Sequence, residues 1–342
     1  MQRLIIFLSI ILLLGSLGGY AYWCEQREPV RYLSDLRSHV ALDQGRPSAR
    51  GNLLGIQPEL VSSDYQSLAR LRLKLAAYLD HARELGLINA RTVVVLPEHI
   101  GTWLLAVGEK DELYQARDRQ QALRWLAVSN PLSFTRALLT AKGDARLQDA
   151  MIRSKAPAMA RDYQQLFGGL ARDYGVTLVA GSIVLPEPRV ELGRLKVASG
   201  PLYNVSLVFD SAGHPIGQPQ RQTQGDHVVA AAPTTQLQVL DTPAGRLGIL
   251  LGSDAQDSER HRLLAERQAE LLALPTSKQA SPEQAQSLAE RLQRHGLRAA
   301  IAVQLRGRLW SKAAQPRSLV LEPGLPLFGD ARSGAQLVNL WL

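Results

Sequence analysis

One cysteine, Cys24, among 342 residues leaves no internal disulfide framework and no cysteine-built zinc site. It adjoins an apolar N-terminal stretch, far from any turn that presents a nucleophile. Blocks of like charge are missing as well. The 39 Lys and Arg are scattered among 31 Asp and Glu, so the net charge of +8 reads as solvated surface rather than a nucleic-acid footprint. No phosphate loop, Ser–His–Asp spacing or His/Asp metal cluster occurs, and no cofactor or metal is expected. His214, His227, His261 and His295 stand isolated in sequence and read as surface residues.

What the chain has is apolar. At 46% hydrophobic and 20% charged residues, it can bury one large core. Leu4 to Trp23 is apolar or small except at Ser9 and Ser16. As a helix at about 1.5 Å per residue it spans roughly 30 Å, the thickness of a bilayer core. Tyr20, Tyr22 and Trp23 gather at its far end, where an aromatic belt belongs. The rival reading is a cleaved signal peptide, for which Gly19-Tyr20-Ala21 is a poor site. We favour a single-pass anchor with Arg3 on the cytoplasmic side of a bacterial inner membrane and the bulk of the chain in the periplasm. Glu25 to Val40 reads as a juxtamembrane helix and Asp43 to Arg50 as a linker. The expected division is an anchor at 4–23, a connecting segment at 24–50 and a globular domain at 51–342.

Within that domain strands and helices alternate. Asn52 to Gln57 reads as a strand, Asp64 as the cap of a long amphipathic helix, and Gly86 as its stop. Thr92-Val93-Val94-Val95-Leu96-Pro97-Glu98 is a continuous apolar run of the kind buried on both faces of a layered sheet. Leu104 to Pro157 is less regular, with an apolar stretch from Ala122 to Leu139 broken at Asn130-Pro131. It reads as a helix pair on the domain, or as a lid or membrane contact. A helix around Tyr163 leads to the strand Val176 to Ser182. Leu202 to Asp210 is a strand closed by a turn at Ser211 to His214. Strands at Ala269 to Ser277, Arg298 to Gln304 and Ser318 to Pro323 complete the pattern.

The stretch that organises the rest is Gly245-Arg246-Leu247-Gly248-Ile249-Leu250-Leu251-Gly252-Ser253-Asp254, a short strand feeding a tight turn and then a helix. It resembles the nucleophile elbow of the nitrilase (carbon–nitrogen hydrolase) superfamily. The Pro97-Glu98 strand end, the Val179-Ala180-Gly181-Ser182 strand and the Tyr203-Asn204 strand resemble that family in the same order. The resemblance runs from about Gly51 to the C-terminus. It implies a four-layer α-β-β-α sandwich in the α/β class, and homodimers paired through a sandwich face. It implies Glu98 as general base and puts the nucleophilic cysteine at Gly252. The family's lysine, from a Gly-x-x-x-Lys-Thr run, falls near Arg221. His99, Trp103, Tyr203, Asn204, Ser253 and Asp254 are the expected pocket residues, Asp254 in a structural role.

The family's chemistry needs a thiol, a base and a cation together. Of these only Glu98 stands in place. Ser253 is one residue late, and neighbouring side chains of an extended chain face opposite ways. Three readings follow: a membrane-anchored pseudoenzyme that binds a ligand or partner; an amide hydrolase in which Glu98 activates a water beside Gly252; or a structural assembly module. The first is favoured.

Overall fold

The computed structural model describes residues 2–25, 34–140, 145–310 and 314–342, with the side chains of 3–19 alone along most of the first helix. Two mixed sheets lie face to face. The first contains β1 (Ser38–Gln44), β2 (Asn52–Gln57), β3 (Thr92–Val95), β4 (Thr177–Val179), β5 (Ile183–Pro186), β6 (Leu202–Phe209) and β7 (Pro215–Arg221). The second contains β8 (Val239–Thr242), β9 (Gly245–Ile249), β10 (Leu271–Pro275), β11 (Ala299–Val303), β12 (Leu319–Glu322) and β13 (Leu325–Phe328). The last strand, β14 (Ala335–Trp341), returns to the first sheet, whose order is β1-β14-β2-β3-β4-β6-β7 with β5 also on β6.

Strand alternation explains the layers. In the first sheet Leu53, Val93, Val95 and Val179 point inward, where they meet Leu247, Ile249, Leu271, Ala273, Ile301 and Val303 of the second. The alternate residues Leu54, Ile56, Val94 and Leu178 point outward, against helices α2 (Leu68–Glu84) and, further along, Arg146–Tyr174. The alternate residues of the second sheet, Leu272, Leu274, Ala300 and Ala302, do the same against Ser258–Glu266 and Pro282–His295. Strands buried on both faces must be apolar throughout, as these sequences are. The expected α-β-β-α layering is observed.

Several local expectations are corrected. The segment before Gly51 is no simple linker: β1 pairs parallel with β14, Ser38 opposite Ala335. The helix expected over Glu25 to Val40 therefore gives way to strand from Ser38, and residues 26–33 lie outside the described ones. The cap of α2 is Ser67, whose side chain accepts from Arg70 N. Asp64 is instead buried, paired with Lys74 Nζ at 2.8 Å and accepting from Ser34 Oγ at 2.7 Å. The Ala122 to Leu139 stretch is a helix pair, α3 (Arg119–Ser129) and α4 (Pro131–Thr140), divided at Asn130. The next helix, α5 (Arg146–Tyr174), runs through Pro157 instead of starting after it. A mid-helix proline costs about 3 kcal/mol. Burial of Ala150, Met151 and Ile152 before it and Met159, Ala160 and Tyr163 after it outweighs that, at about 1.5–3 kcal/mol for each large side chain.

At the N-terminus, α1 (Gln2–Glu25) is a helix of 24 residues with Leu4 to Leu17 exposed. The expected span of 4–23 thus falls on a helix, yet the described residues contain no helix long and apolar enough to cross a membrane. His261, expected at the surface, is fully buried in α6 (Ser258–Glu266), which packs with α7 (Pro282–His295) on the second sheet.

Two predictions follow from this packing. A Cβ on Gly55 in β2 would lie 2.8 Å from Val338 Cγ2 and 2.9 Å from both Ile301 Cδ1 and Val303 Cγ2. Gly55→Ala should therefore cost about 1–3 kcal/mol by overpacking between the sheets. It would be read as a lower urea midpoint at constant slope, and an unchanged midpoint would contradict the close approach. The second concerns His261. Burial, followed by the nearby Arg291 charge, lowers its pKa from 6.5 to about 4. Between those values the unfolded chain holds the extra proton. Stability is thus full with respect to this group above pH 6.5 and falls as pH drops toward 4, by about 1.4 kcal/mol per unit at most. Thermal melts across that range should show His261→Leu with the shallower acid slope.

Candidate functional site

The site lies where strands of both sheets end. Glu98 follows β3 through Leu96 and Pro97, and Leu96 N still donates to Val179 O at 3.0 Å. His99 then takes a positive φ of 62°, and its N–H donates to Ser182 Oγ at 2.8 Å. Gly181 lets this turn close, because a Cβ there would overlap the Pro97 carbonyl oxygen. The Val179-Ala180-Gly181-Ser182 run is thus the seat of the Glu98 turn. Opposite it, β9 ends and Leu250 N donates to Ala273 O at 3.1 Å. Gly252 to Gln256 then wind one 3-10 turn. Gly252 has φ +53, the left-handed conformation glycine adopts without strain.

Glu98 is buried, and its Oε1 accepts from Asn204 Nδ2 at 2.9 Å. The same amide donates to Gln222 Oε1 at 2.9 Å, and Gln222 Nε2 donates to Ser253 Oγ at 3.0 Å. A chain Glu98–Asn204–Gln222–Ser253 therefore joins the two sheets across the elbow. Oε2 of Glu98 is buried with no hydrogen-bond partner among the described residues. A Cβ added to Gly252 would lie 2.5 Å from Glu98 Oε1 and 3.2 Å from Gln222 Nε2. The carboxylate thus stands where a larger residue at 252 would begin.

Asp254 fixes the elbow. Its buried carboxylate accepts from Thr223 N at 2.6 Å and Gln224 N at 3.0 Å. Burial raises its pKa, opposed by these N–H donors and by the Arg260 charge. These bonds tie the elbow to the loop after β7.

Arg221 is a correction. Its guanidinium pairs with Glu187 at 2.9 Å and lies 4.2 Å from the Tyr203 ring centroid. Alternation along β7 turns Arg221 to one face and its neighbour Gln222 to the other. Tyr203, stacked under Arg221, is likewise absent from the cleft lining. The cleft residue missed was Gln222, next to Arg221 in sequence. Among the described residues no Lys or Arg pairs with Glu98; His99 Nε2 stands 3.8 Å from its Oε1.

Above this floor opens a cleft of about 740 Å³. Glu98, His99, Trp103, Gln222, Gly252 and Ser253 line its base, and Arg119, Asp226, His227 and Lys278 its walls. Trp103 is held against Trp310, ring centroids 5.2 Å apart. His227, read as a surface residue, is exposed, and it lines this cleft. Burial pushes the Asp226 carboxyl up, but the Val229 and Val228 N–H groups with His227 and His99 hold it below its usual value. Among the described residues no cluster of His, Cys, Asp and Glu could hold a metal ion.

No family model and no curated protein matches the sequence. Solved structures do match its shape. An amidase from Nesterenkonia sp. AN1 superposes with a TM-score of 0.53 at 18% identity, over 85% of this chain and 92% of that one. The same amidase carrying acrylamide added at its active-site cysteine gives 0.52 at 17%, over 85% and 93%. Nit3 of Saccharomyces cerevisiae, in branch 10 of the nitrilase superfamily, gives 0.53 at 16%, over 85% and 89%. This chain has the nitrilase fold. At these identities the likeness is one of fold.

In this nitrilase-fold chain the elbow survives without a side chain on it. Gly252→Ala should cost about 1–3 kcal/mol, from left-handed strain and the Glu98 overlap together. In a Glu98→Ala background only the backbone part, about 1–2 kcal/mol, should remain. Denaturant unfolding of the four proteins in the cycle gives the coupling. Strict additivity would mean that Glu98 does not occupy that space.

Proposed function

We propose that this protein is a non-catalytic member of the nitrilase fold, a ligand- or partner-binding domain held at a membrane by α1. The observation that carries the reading is the closeness of Glu98 Oε1 to the position a side chain at Gly252 would take, 2.5 Å from its Cβ. Acyl transfer in this fold family, as the resemblance describes it, needs a thiol there with a base and a cation beside it. Here the nucleophile position has no side chain, the base leans into the gap, and Gln222 stands beside the elbow as a neutral amide. The alternative is an amide hydrolase in which Glu98 activates a water of about 30 Å³ beside Gly252, and the activity test below separates it from the non-catalytic reading. A purely structural role leaves the cleft unexplained: at about 740 Å³ it lies within the range of roughly 300–1,000 Å³ of small-molecule sites.

The membrane part of the reading draws on α1. Its 24 residues extend about 36 Å, and Leu4 to Leu17 lie exposed instead of packing on the domain. Arg3 at the short end supports a domain outside the cytoplasm, in the periplasm if the cell is bacterial. Pairing of two copies through a sandwich face belongs to the same reading.

The test is activity. Purified full-length protein should show no turnover and no burst on a panel of amides and nitriles, and no label at the elbow from thiol-directed amide probes. Gly252→Cys alone should restore little, since groups that act as a unit do not add. Gly252→Cys with Gln222→Lys is the pair that rebuilds the constellation. Wild-type turnover that disappears in Glu98→Gln would overturn the reading and establish the water mechanism.

A further inference from the structure

Helices α3 and α4 present apolar side chains that no described part of the chain covers. Leu132 is 88% exposed and Leu139 79%, with Val128 at 59% and Leu147 at 61%. Leu132, Arg136 and Leu139 fall at i, i+4 and i+7 of α4 and share one face. The opposite face is already used: Phe134, Ala137 and Leu138 pack against Ala150 of α5. A helix apolar on both faces has a second environment to satisfy. Arg146 Nη2 donates to Leu138 O at 2.8 Å, which sets Leu147 at the end of α4 where Leu139 lies.

Along α3 and α4 themselves the charge has one sign, the acids Asp118, Asp144 and Asp149 lying beyond their ends. Between Asp118 and Asp144 the sequence holds Arg119, Arg124, Arg136 and Lys142 and no acidic residue. Arg124 and Arg136 are exposed. Leucines flanked by arginines without acids are the composition of a helix lying in a lipid interface. Such leucines gain by leaving water for acyl chains, and the nearby Arg and Lys are drawn to an anionic surface. Reach is not an obstacle. Residues 26–37 separate α1 from β1 and extend at most about 40 Å.

We propose that α4 and the end of α3 form a second membrane contact, with the Leu132–Leu139 face set among the headgroups of an anionic bilayer. This rests on the reading that α1 anchors the chain. Arg119 at the start of α3 and Gln148 near the start of α5 line the cleft, so the contact holds its mouth against the bilayer surface. The ligand the cleft receives is then one presented at that surface.

The test uses the full chain in phosphatidylcholine vesicles with and without phosphatidylglycerol. Nitroxide labels are placed through Leu132→Cys, Leu139→Cys and, as an aqueous reference on α7, Ser287→Cys, each with Cys24→Ser. These positions are exposed, so the labels disturb little packing. Flotation reports the anchor; collision with oxygen and with a water-soluble nickel chelate reports depth. The labels at 132 and 139 should be shielded from nickel several-fold relative to 287 while open to oxygen, more so with phosphatidylglycerol. Leu139→Asp should return the 132 label to nickel without loss of flotation. A chain that floats with 132 and 139 as open to nickel as 287 overturns the contact and leaves the anchor standing. A chain that does not float overturns both. Shielding from both reagents with spin–spin broadening between copies assigns the ridge to a second copy and overturns the membrane contact.

Discussion

The structure depends on the apolar layer between the two sheets. Leu53, Val93, Val95 and Val179 from one side and Leu247, Ile249, Ile301 and Val303 from the other fill it. Where β2 passes over β11 only the hydrogen of Gly55 fits between the facing side chains. Interiors packed to crystal density transmit such constraints instead of absorbing them. Because this layer fixes the sheets relative to each other, it fixes where their strands end. Glu98 and Asn204 come from one sheet and Ser253 from the other, so the same apolar contacts bring the Glu98–Asn204–Gln222–Ser253 chain together. The elbow is held on one more polar bridge, from buried Asp254 to the backbone of Thr223 and Gln224.

Several backbone contacts around the elbow are close ones: Gly181 under the Pro97 carbonyl, Ser182 on His99 N, and Asp254 on the loop after β7. The elbow itself carries little. Gly252 carries no side chain, and Gln222 provides an amide that bonds to Asn204 and Ser253 instead of a charge. The resulting chain of neutral groups satisfies Glu98 Oε1 from within the protein and leaves the open volume of the cleft to other residues, among them His227, Asp226 and Lys278.

Much of this was legible in the sequence, for physical reasons that differ by element. Strands buried on both faces, such as Thr92–Val95 and Ala299–Val303, read plainly because nothing polar interrupts them. Glu98, Asn204 and Asp254 were singled out through the order of short motifs; Glu98 lines the cleft, whereas Asn204 and Asp254, expected to line it, do not, and each makes a buried hydrogen bond instead. Strand β1 was missed because Ser38-His39-Val40-Ala41-Leu42-Asp43-Gln44 lies at an edge, half-buried, and has no need of a continuous apolar run. The start of α5 was missed because proline ordinarily ends a helix, and only the apolar face on both sides of Pro157 overrides it. Arg221 drew attention as a cation, but the pleat of β7 aims it at Glu187. Histidine in a polar neighbourhood of sequence gave no sign that His261 turns inward.

The position of the last strand has a consequence for the order of assembly. β14, ending at Trp341, lies between β1 and β2, with Asn52 opposite Trp341 and Ser38 opposite Ala335. The first two strands of the domain are not joined until residues 335–341 come between them. Synthesis from the N-terminus therefore leaves β1 and one edge of β2 open for as long as the rest of the chain is being made. The pairing that closes the sheet joins strands far apart in the sequence, the kind of distant contact that forms slowly. Deletion of residues 335–341 would remove a strand from inside the sheet rather than from its edge, leaving β1 without its partner and β2 as an edge open to other chains.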